Sequence, residues 1–269
     1  MNINNDDAQK LLEARLDDYI RQSDRGELVC GNFLTPQEIA HMRIILRSRR
    51  AEDRAFFFGG YDGAERKRIF VIPSYISELG GGPQSLAESY FAEELAQSIC
   101  PIRIKGSGFR SLSHRDYLGS ILSLGIERRE VGDIVTLTEH EAIAFASDRI
   151  CDYLLTSLER IASDKVKVAV IDLPEDFKAS RKTQPISDTV ASKRFDCIVG
   201  ALLNLSREKA QNVISAGLCE IDHLPEIRVD RQIDEGATIS VRGYGKFSVI
   251  SFDGETRRGR IRMSAEKYI

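Results

Sequence analysis

"SKRFDCIVGALLNLSREKAQNVISAGLCEID", residues 192–222, reads as two short helices in succession. Ser192 is placed to cap the first, whose apolar positions Phe195, Ile198, Val199, Leu202 and Leu203 fall on one face. Ser206 is placed to cap the second, with Ala210, Val213 and Ile214 inward and Gly217 as its left-handed stop. Lys193 and Arg194 open the first helix, and Arg207 and Lys209 open the second. Helix N-termini are electropositive, so cations there are unfavourable unless anions meet them. Exposed N–H groups together with arginine side chains at a helix start form a phosphate site. The plainer alternative is that Arg194 pairs with Asp196 or Glu208 and is otherwise solvated.

Downstream, "KFSVISFDGETRRGRIRM" (246–263) reads as a hairpin. Asp253-Gly254 predicts a type I′ turn. Period two on the returning strand puts Ile261 and Met263 on one face and Arg258, Arg260 and Arg262 on the other. Arg257 and Gly259 extend this basic patch towards Arg242 and Lys246. The alternative is that the arginines only keep an edge strand soluble.

Upstream, "EDFKASRKTQPISDTVA" is polar, contains Pro185 and lacks periodicity, so 176–190 reads as a linker. Before it the order is strand ("PIRIKG"), helix ("HRDYLGSILS"), two strands ("DIVTLTE", "HEAIAFA"), helix ("SDRICDYLLTSLERIAS") and strand ("KVKVAVIDLP"). That β-α-β-β-α-β order is ferredoxin-like. RNA-recognition motifs share it, but carry paired aromatics on their third strand. Here that strand offers only Phe145, so no base stacking is expected on this sheet. The glycines of "RIKGSGFRSLSHR" allow close backbone approach to a partner, with Arg110 and Arg115 supplying charge.

His114-Arg115-Asp116 matches the catalytic-loop triplet of protein kinases, but its partners are missing. Ile121 stands where the metal-binding Asn belongs, Gly132-Asp133-Ile134 is in the wrong order for a metal ligand, and no phosphate-cradling glycine loop precedes it. The triplet reads instead as the first turn of a helix capped by Ser113, with Asp116 closing a capping box and Gly125 ending it. Gly119 inside that helix suggests close packing.

The first hundred residues read as mixed α/β. "DDAQKLLEARLDDYIRQ" has Leu11, Leu12, Leu16, Tyr19 and Ile20 on one face, and "TPQEIAHMRIILRSRR" opens with Thr35, Pro36 and Glu38 as cap, first position and box. "RAFFFGGYDGAERKRIFVIP" is two strands around glycines, and its basic run to Arg68 faces a partner or forms a solvated strand end. Gly80-Gly81-Gly82 is a loop.

A hydrophobic share of 42% and a charged share of 29% fit a soluble globular chain of one to three domains. The start "MNINNDDAQK" is polar and is no signal peptide, and no apolar run has membrane length. Five scattered cysteines without a C-x-x-C pair argue for reduced cytosolic thiols, with Cys197 and Cys219 as core residues, and against zinc. Net charge is −3, with acid in excess over 1–100 and base slightly in excess over 190–269. A local basic surface on a mildly acidic chain still attracts nucleic acid.

Arg194-Phe-Asp196, Ser206-Arg207-x-x-Ala210, Gly217-x-Cys-x-Ile-Asp222 and Gly236-Ala-Thr-Ile-Ser-Val together resemble the RNA-binding domain first seen in ribosomal protein S-four. Phe195, Asp222 and Ala237 depart from its usual pattern, and the last two fall in turns. With "FFFGGYDGAERKRIFVIPSY", "SHRDYLGSILSLGIERREVGDI" and "SVRGYGKF…TRRGRIR", nearly the whole chain from about residue 30 resembles the YlmH family of bacterial S-four-type proteins. The resemblance implies an α+β chain of three domains: an N-terminal α/β domain (1–98), a ferredoxin-like middle domain (99–175) and, after a linker (176–190), a C-terminal S-four (αL-type) domain with a β-hairpin (191–269). It implies a cytoplasmic, monomeric, non-catalytic protein without cofactor, metal or membrane attachment. Its implied partners are rRNA of the large ribosomal subunit and peptidyl-tRNA on obstructed subunits, in ribosome-associated quality control, with a further link to cell division. The residues this assigns to RNA are Lys193, Arg194, Ser206, Arg207, Lys209, Gln211, Arg242, Lys246, Arg257, Arg258, Arg260 and Arg262, with Arg110, His114 and Arg115 as secondary contacts.

The rival class is an rRNA-modifying enzyme carrying an S-four domain. A pseudouridine synthase needs a catalytic Asp in a G-R-L-D-type strand, whereas Lys193-Arg-Phe-Asp196 already belongs to a helix start. A methyltransferase needs a glycine-rich strand-to-helix turn, and Gly80-Gly81-Gly82-Pro83 follows no evident strand.

Overall fold

The computed structural model describes residues 5–174, 176–179 and 182–269 of the chain. They form an α+β protein of two compact units, Met1–Ala179 and Ser180–Ile269.

The first unit opens with α1 (Asn5–Ser23), β1 (Val29–Leu34), α2 (Pro36–Arg49), β2 (Ala55–Phe58) and β3 (Lys67–Val71), the strands pairing antiparallel in the order β1-β3-β2. Thr35 and Glu38 form the capping box of α2 behind Pro36. Leu12, Leu16, Met42 and Ile45 pack the two helices onto Ile69 and Val71, while Leu11 faces solvent. After α3 (Ser74–Ser77), left-handed Gly80 and Gly81 turn the chain into α4 (Pro83–Tyr90) and α5 (Ala92–Gln97).

There follow β4 (Ile99–Gly106), α6 (His114–Ser123), β5 (Val131–Thr138), β6 (Glu141–Ser147), α7 (Asp148–Ser157), the two-residue β7 (Arg160–Ile161) and β8 (Asp164–Val170). The sheet runs β5-β6-β4-β8-β7, every neighbouring pair antiparallel. Ser113 and Asp116 form the capping box of α6, so the histidine-arginine-aspartate triplet is a helix start. A Cβ at Gly119 would meet nothing within 4 Å, so close packing is not its role.

One face of this sheet packs Ile102, Ile104, Ala142 and Ala144 against Tyr117, Ile121 and Leu154 of the helices. The other face contributes Val135, Ile143 and Phe145 to a core shared with Phe33, Phe56, Tyr61 and Phe70. The strands of the first sheet and those of the second therefore share one core within the first unit. Asp133 ties them further, accepting from Tyr61 Oη (2.8 Å), Glu65 N (2.7 Å) and Arg66 N (3.0 Å). The basic run is part of this join and neither a partner surface nor a solvated end. Arg68 is fully buried and donates to Gly31 O (2.6 Å), Asp148 Oδ1 (2.8 Å) and Ser98 O.

The second unit contains β9 (Thr183–Val190), α8 (Phe195–Leu203), α9 (Arg207–Ser215), β10 (Cys219–Ile221), β11 (Leu224–Pro225), β12 (Thr238–Val241), β13 (Gly245–Glu255) and β14 (Ile261–Tyr268). The antiparallel sheet order is β11-β10-β12-β13-β14-β9. Phe195, Ile198, Val199, Ala210 and Ile214 of the helices meet Ile239, Phe247, Val249 and Met263 of one sheet face, with Cys219 among them.

The structure departs from three expectations in this unit. Most of the supposed linker is a strand, since β9 pairs along its length with β14. Pro185 is tolerated because β9 is the sheet's edge, where no ladder bond is demanded of it. Asp253-Gly254 is not the hairpin turn. Gly254, at φ +61°, lies in β13 where the register shifts between Phe252 and Glu255, and the chain reverses over Thr256–Arg260. The basic returning strand β14 is then an interior strand, between β13 and β9.

Candidate nucleic-acid interface

The starts of α8 and α9 meet around one side chain. Asp196, in the first turn of α8, is wholly buried. It accepts from Arg194 (Nε–Oδ1, 3.1 Å), Arg207 (Nε–Oδ2, 2.9 Å) and Gln211 (Nε2–Oδ2, 2.8 Å). Burial alone would raise its pKa. Hydrogen bonds from Arg194, Gln211 and Arg207 outweigh that and hold the carboxyl well below the usual carboxylate range. Arg207 nevertheless remains 60% exposed at the side chain and Arg194 32%. Each guanidinium is thus fixed from below by a buried anion while keeping donors towards solvent. Two guanidinium groups thus face one buried carboxylate, while the first turn of α9 exposes both Lys209 and Glu208 and Asp230 acts on Arg194 from outside.

The helix starts themselves differ. Ser192 does not cap α8. The N-cap is Arg194, without a side-chain bond, and Ser192 Oγ lies against Cys197 Sγ. The segment 229–231 caps the helix instead: Phe195 N donates to Arg231 O (2.8 Å) and Asp196 N to Val229 O (3.0 Å). These N–H groups are consumed inside the protein, so α8 offers arginine but no free backbone cradle. At α9, Ser206 caps as expected, its hydroxyl accepting from Lys209 N. Beside the segment that caps α8, Glu226 is pulled down to about 2 by hydrogen bonds from Arg228, against the opposing effect of burial.

The other assigned residues divide between two places. Arg260 lies in a cleft of about 340 Å³ that it shares with Arg207, Asp196 and Asn204. There it donates to Thr189 Oγ1 (2.9 Å) and to Thr189 O. Arg257 and Arg258 are exposed in the turn beside it, and Arg262 is exposed on β14. Arg258, Arg260 and Arg262 therefore do not form one strand face, because only Arg262 lies within the strand. Arg242 and Lys246 belong to the opposite end of β13. At about 3.3 Å per residue, Lys246 and Glu255 stand roughly 30 Å apart, so these two do not continue the hairpin's patch. Lys193 sits over the ring of Phe252 at 4.6 Å, and Lys246 over that of Tyr268 at 5.1 Å. Arg110, His114 and Arg115 are exposed in the first unit.

Sequence reasoning misses two contributors. It treats Asp196 only as a neutraliser of Arg194, although a charge among buried positions of a helix's first turn signals an organising role. Thr189 falls in the supposed linker. Asp222, in the place of the usual Asn, holds its turn in a left-handed conformation (φ 48°), its side chain accepting from Thr238 N at 2.9 Å.

Among the described residues no group of three or more His, Cys, Asp or Glu could hold a metal ion, and no helix is long and apolar enough to cross a membrane. The chain is of the class of multidomain α+β proteins with a preorganised cationic surface suited to phosphate oxygens. Residues 6–76 match the family model described as "YlmH, N-terminal", and residues 93–175 that described as "Putative RNA-binding domain in YlmH". The chain belongs to the YlmH family. Ribosome-associated protein quality control protein P2 of Bacillus subtilis (strain 168) is 27% identical over 237 residues, 88% of this chain and 86% of that protein. The structure of cell division protein ylmH from Streptococcus pneumoniae is similar with a TM-score of 0.47 at 18% identity, covering 66% of this chain and 98% of that one.

Proposed function

We propose that this protein is a non-catalytic RNA-binding factor of the ribosome. It binds rRNA of the large subunit, on subunits obstructed by peptidyl-tRNA, and serves ribosome-associated quality control in the cytoplasm. The observation that carries this reading is the buried Asp196 holding Arg194, Arg207 and Gln211 in one exposed cationic cluster. Fixed guanidinium groups lose little freedom on meeting phosphates and bind them through two donors at once. Membership of the YlmH family and the name of the Bacillus subtilis relative support the ribosome as the partner. In this reading the second unit is an S-four domain, and its motif residues from Arg194 to Gln211 are the rRNA contact. The strands and helices of 99–170 are a ferredoxin-like domain, which their β-α-β-β-α-β order and alternating antiparallel neighbours support.

Co-sedimentation with purified ribosomal particles tests this. The protein should travel with large subunits, and more strongly with those carrying peptidyl-tRNA. Equal partition between large and small subunits would overturn it. rRNA from a deletion strain should retain all its modified nucleotides by mass spectrometry, and a missing modification would replace this reading with an enzymatic one.

A further inference from the structure

Where β4 ends, the chain enters a loop carrying the most exposed large hydrophobic side chain among the described residues. Phe109 is 97% exposed. The loop is braced on both sides of it. Ser107 N donates to Asp164 Oδ2 at 3.0 Å and its hydroxyl to Oδ1. Arg110 donates to Ser163 Oγ at 2.6 Å, His140 Nδ1 lies 2.8 Å from Arg110 O, and Leu112 N donates to Glu139 O at 2.7 Å. Before it, a Cβ at Gly106 would come within 2.7 Å of Asp164 Oδ2, so the strand runs close against its brace. A loose loop with a stray aromatic is ordinary. A loop held by this many bonds that keeps its phenyl ring in water forgoes the stabilisation of burying it.

The strands feeding this loop are basic on their exposed face. Lys105 of β4 and Lys167 of β8 are direct cross-strand partners. Period two puts Lys165 on the same face, and Arg160 of β7 is paired with it. All four are exposed. Like charges placed opposite one another destabilise a sheet, so a polyanion along this face would relieve the repulsion. Glu141 stands across from Lys105 on its other side but is engaged by Arg103.

A cationic track ending in a rigid, solvent-facing aromatic suits one ligand chemistry above others. Single-stranded nucleic acid offers phosphates to the cations and an unstacked base to the ring. An apolar pocket on a protein would accept Phe109 but has no use for the lysines. Duplex RNA satisfies the lysines but hides its base faces. We propose that Phe109 stacks on an unpaired base of single-stranded RNA whose backbone follows Lys105, Lys165 and Lys167. This rests on the RNA-binding reading above and names the kind of RNA and the aromatic that receives it.

The test uses the full chain and a short single-stranded RNA containing 2-aminopurine, beside a hairpin duplex of equal length and purified large subunits. Phe109→Ala should weaken single-strand binding by about tenfold and abolish the quenching of 2-aminopurine, with duplex binding unchanged. Phe109→Trp should keep both properties. Phe109→Leu should fail as Ala does, because it is apolar but cannot stack. Circular dichroism should be unaltered throughout, since the ring is almost wholly in solvent. Wild-type affinity and quenching in Phe109→Ala, while Arg207→Ala still loses large subunits, would overturn the stacking proposal and leave the RNA-binding reading intact. Retained binding in Phe109→Leu would also overturn it, in favour of a purely apolar contact. If the wild-type chain binds neither RNA nor subunits, both readings fall together.

Discussion

The buried carboxylate of Asp196 lies 2.9 Å from Nε of Arg207, a residue of the next helix whose side chain is mostly in solvent. An exposed arginine is usually mobile, and a surface ion pair contributes little. This pair differs because one partner cannot reach water. Asp196→Asn should remove the charge that orients Arg194 and Arg207. Loss of the charge-assisted bonds should lower the unfolding free energy by roughly 1–3 kcal/mol, and subunit affinity should fall although Asp196 touches no RNA. Urea unfolding and co-sedimentation check the two effects. Wild-type affinity in a folded Asp196→Asn protein would mean that the arginines need no orientation.

Removing the arginines should give a different signature. Arg194→Ala and Arg207→Ala should each weaken large-subunit binding and reduce the salt slope by about one unit for every phosphate no longer neutralised. Their exposure alone suggests no change in melting temperature, but the shared carboxylate alters this. Either substitution leaves Asp196 with fewer donors, and the double substitution leaves it Gln211 only. The thermal penalty of the double variant should therefore exceed the sum of the singles. Strict additivity would show that Asp196 does not couple them.

The same cluster predicts an acid limit. Asp196 titrates below its ordinary value of 3.8 in the folded chain. A carboxyl depressed by folding contributes stability that is present above its unfolded pKa and is lost as pH falls through the folded one. Glu226 behaves likewise between 4.5 and about 2. Stability should thus be level from neutrality to about pH 5 and fall below that. Glu226→Gln should flatten the part of the decline between pH 4.5 and about 2. An unaltered acid profile in that variant would show that Glu226 gains nothing from Arg228 and Arg231.

Much of this fold was legible from local chemistry. The capping boxes of Thr35 and Ser113 and the cap at Ser206 depend on residues three apart, and each stands as read. What failed depends on distant partners. Nothing near Arg68 announces that Gly31, Ser98 and Asp148 will surround its guanidinium. Nothing in "TQPISDTV" announces β14 beside it, and Pro185 argues against a strand until its edge position is known. Ser192 looks like a cap, but a segment nearly 40 residues later supplies the carbonyls. Asp253-Gly254 carries a strong turn signal, yet the left-handed glycine serves a register shift within β13. The site followed the same division: its cations were visible, whereas the buried anion arranging them became evident only with burial.

The hairpin supplies the last prediction. With β14 inside the sheet, its Arg262 cannot be there to protect an open edge, and the other hairpin arginines lie outside the strand. Arg257 and Arg258 sit in the exposed turn Thr256–Arg260, which is closed by backbone groups of Thr256, Gly259 and Arg260 and by the Thr256 hydroxyl, with no arginine side chain. Arg260 is different, because its guanidinium holds Thr189 of β9 and lines the cleft beside Arg207. Replacing both Arg257 and Arg258 by Gln should leave the melting temperature unchanged and weaken large-subunit binding at physiological salt, lowering the salt slope by about two if each meets a phosphate. Arg260→Gln should instead loosen the edge strand, seen as faster amide exchange over Ser187–Val190, together with a loss of affinity. Arg242→Gln with Lys246→Gln probes the far end of β13, and its effect should add independently to that of the turn, since the two sites are too far apart to couple. If the turn variant binds as wild type while Arg260→Gln only frees β9, then Arg260 is structural, Arg257 and Arg258 play no part in binding, and the hairpin turn lies outside the footprint.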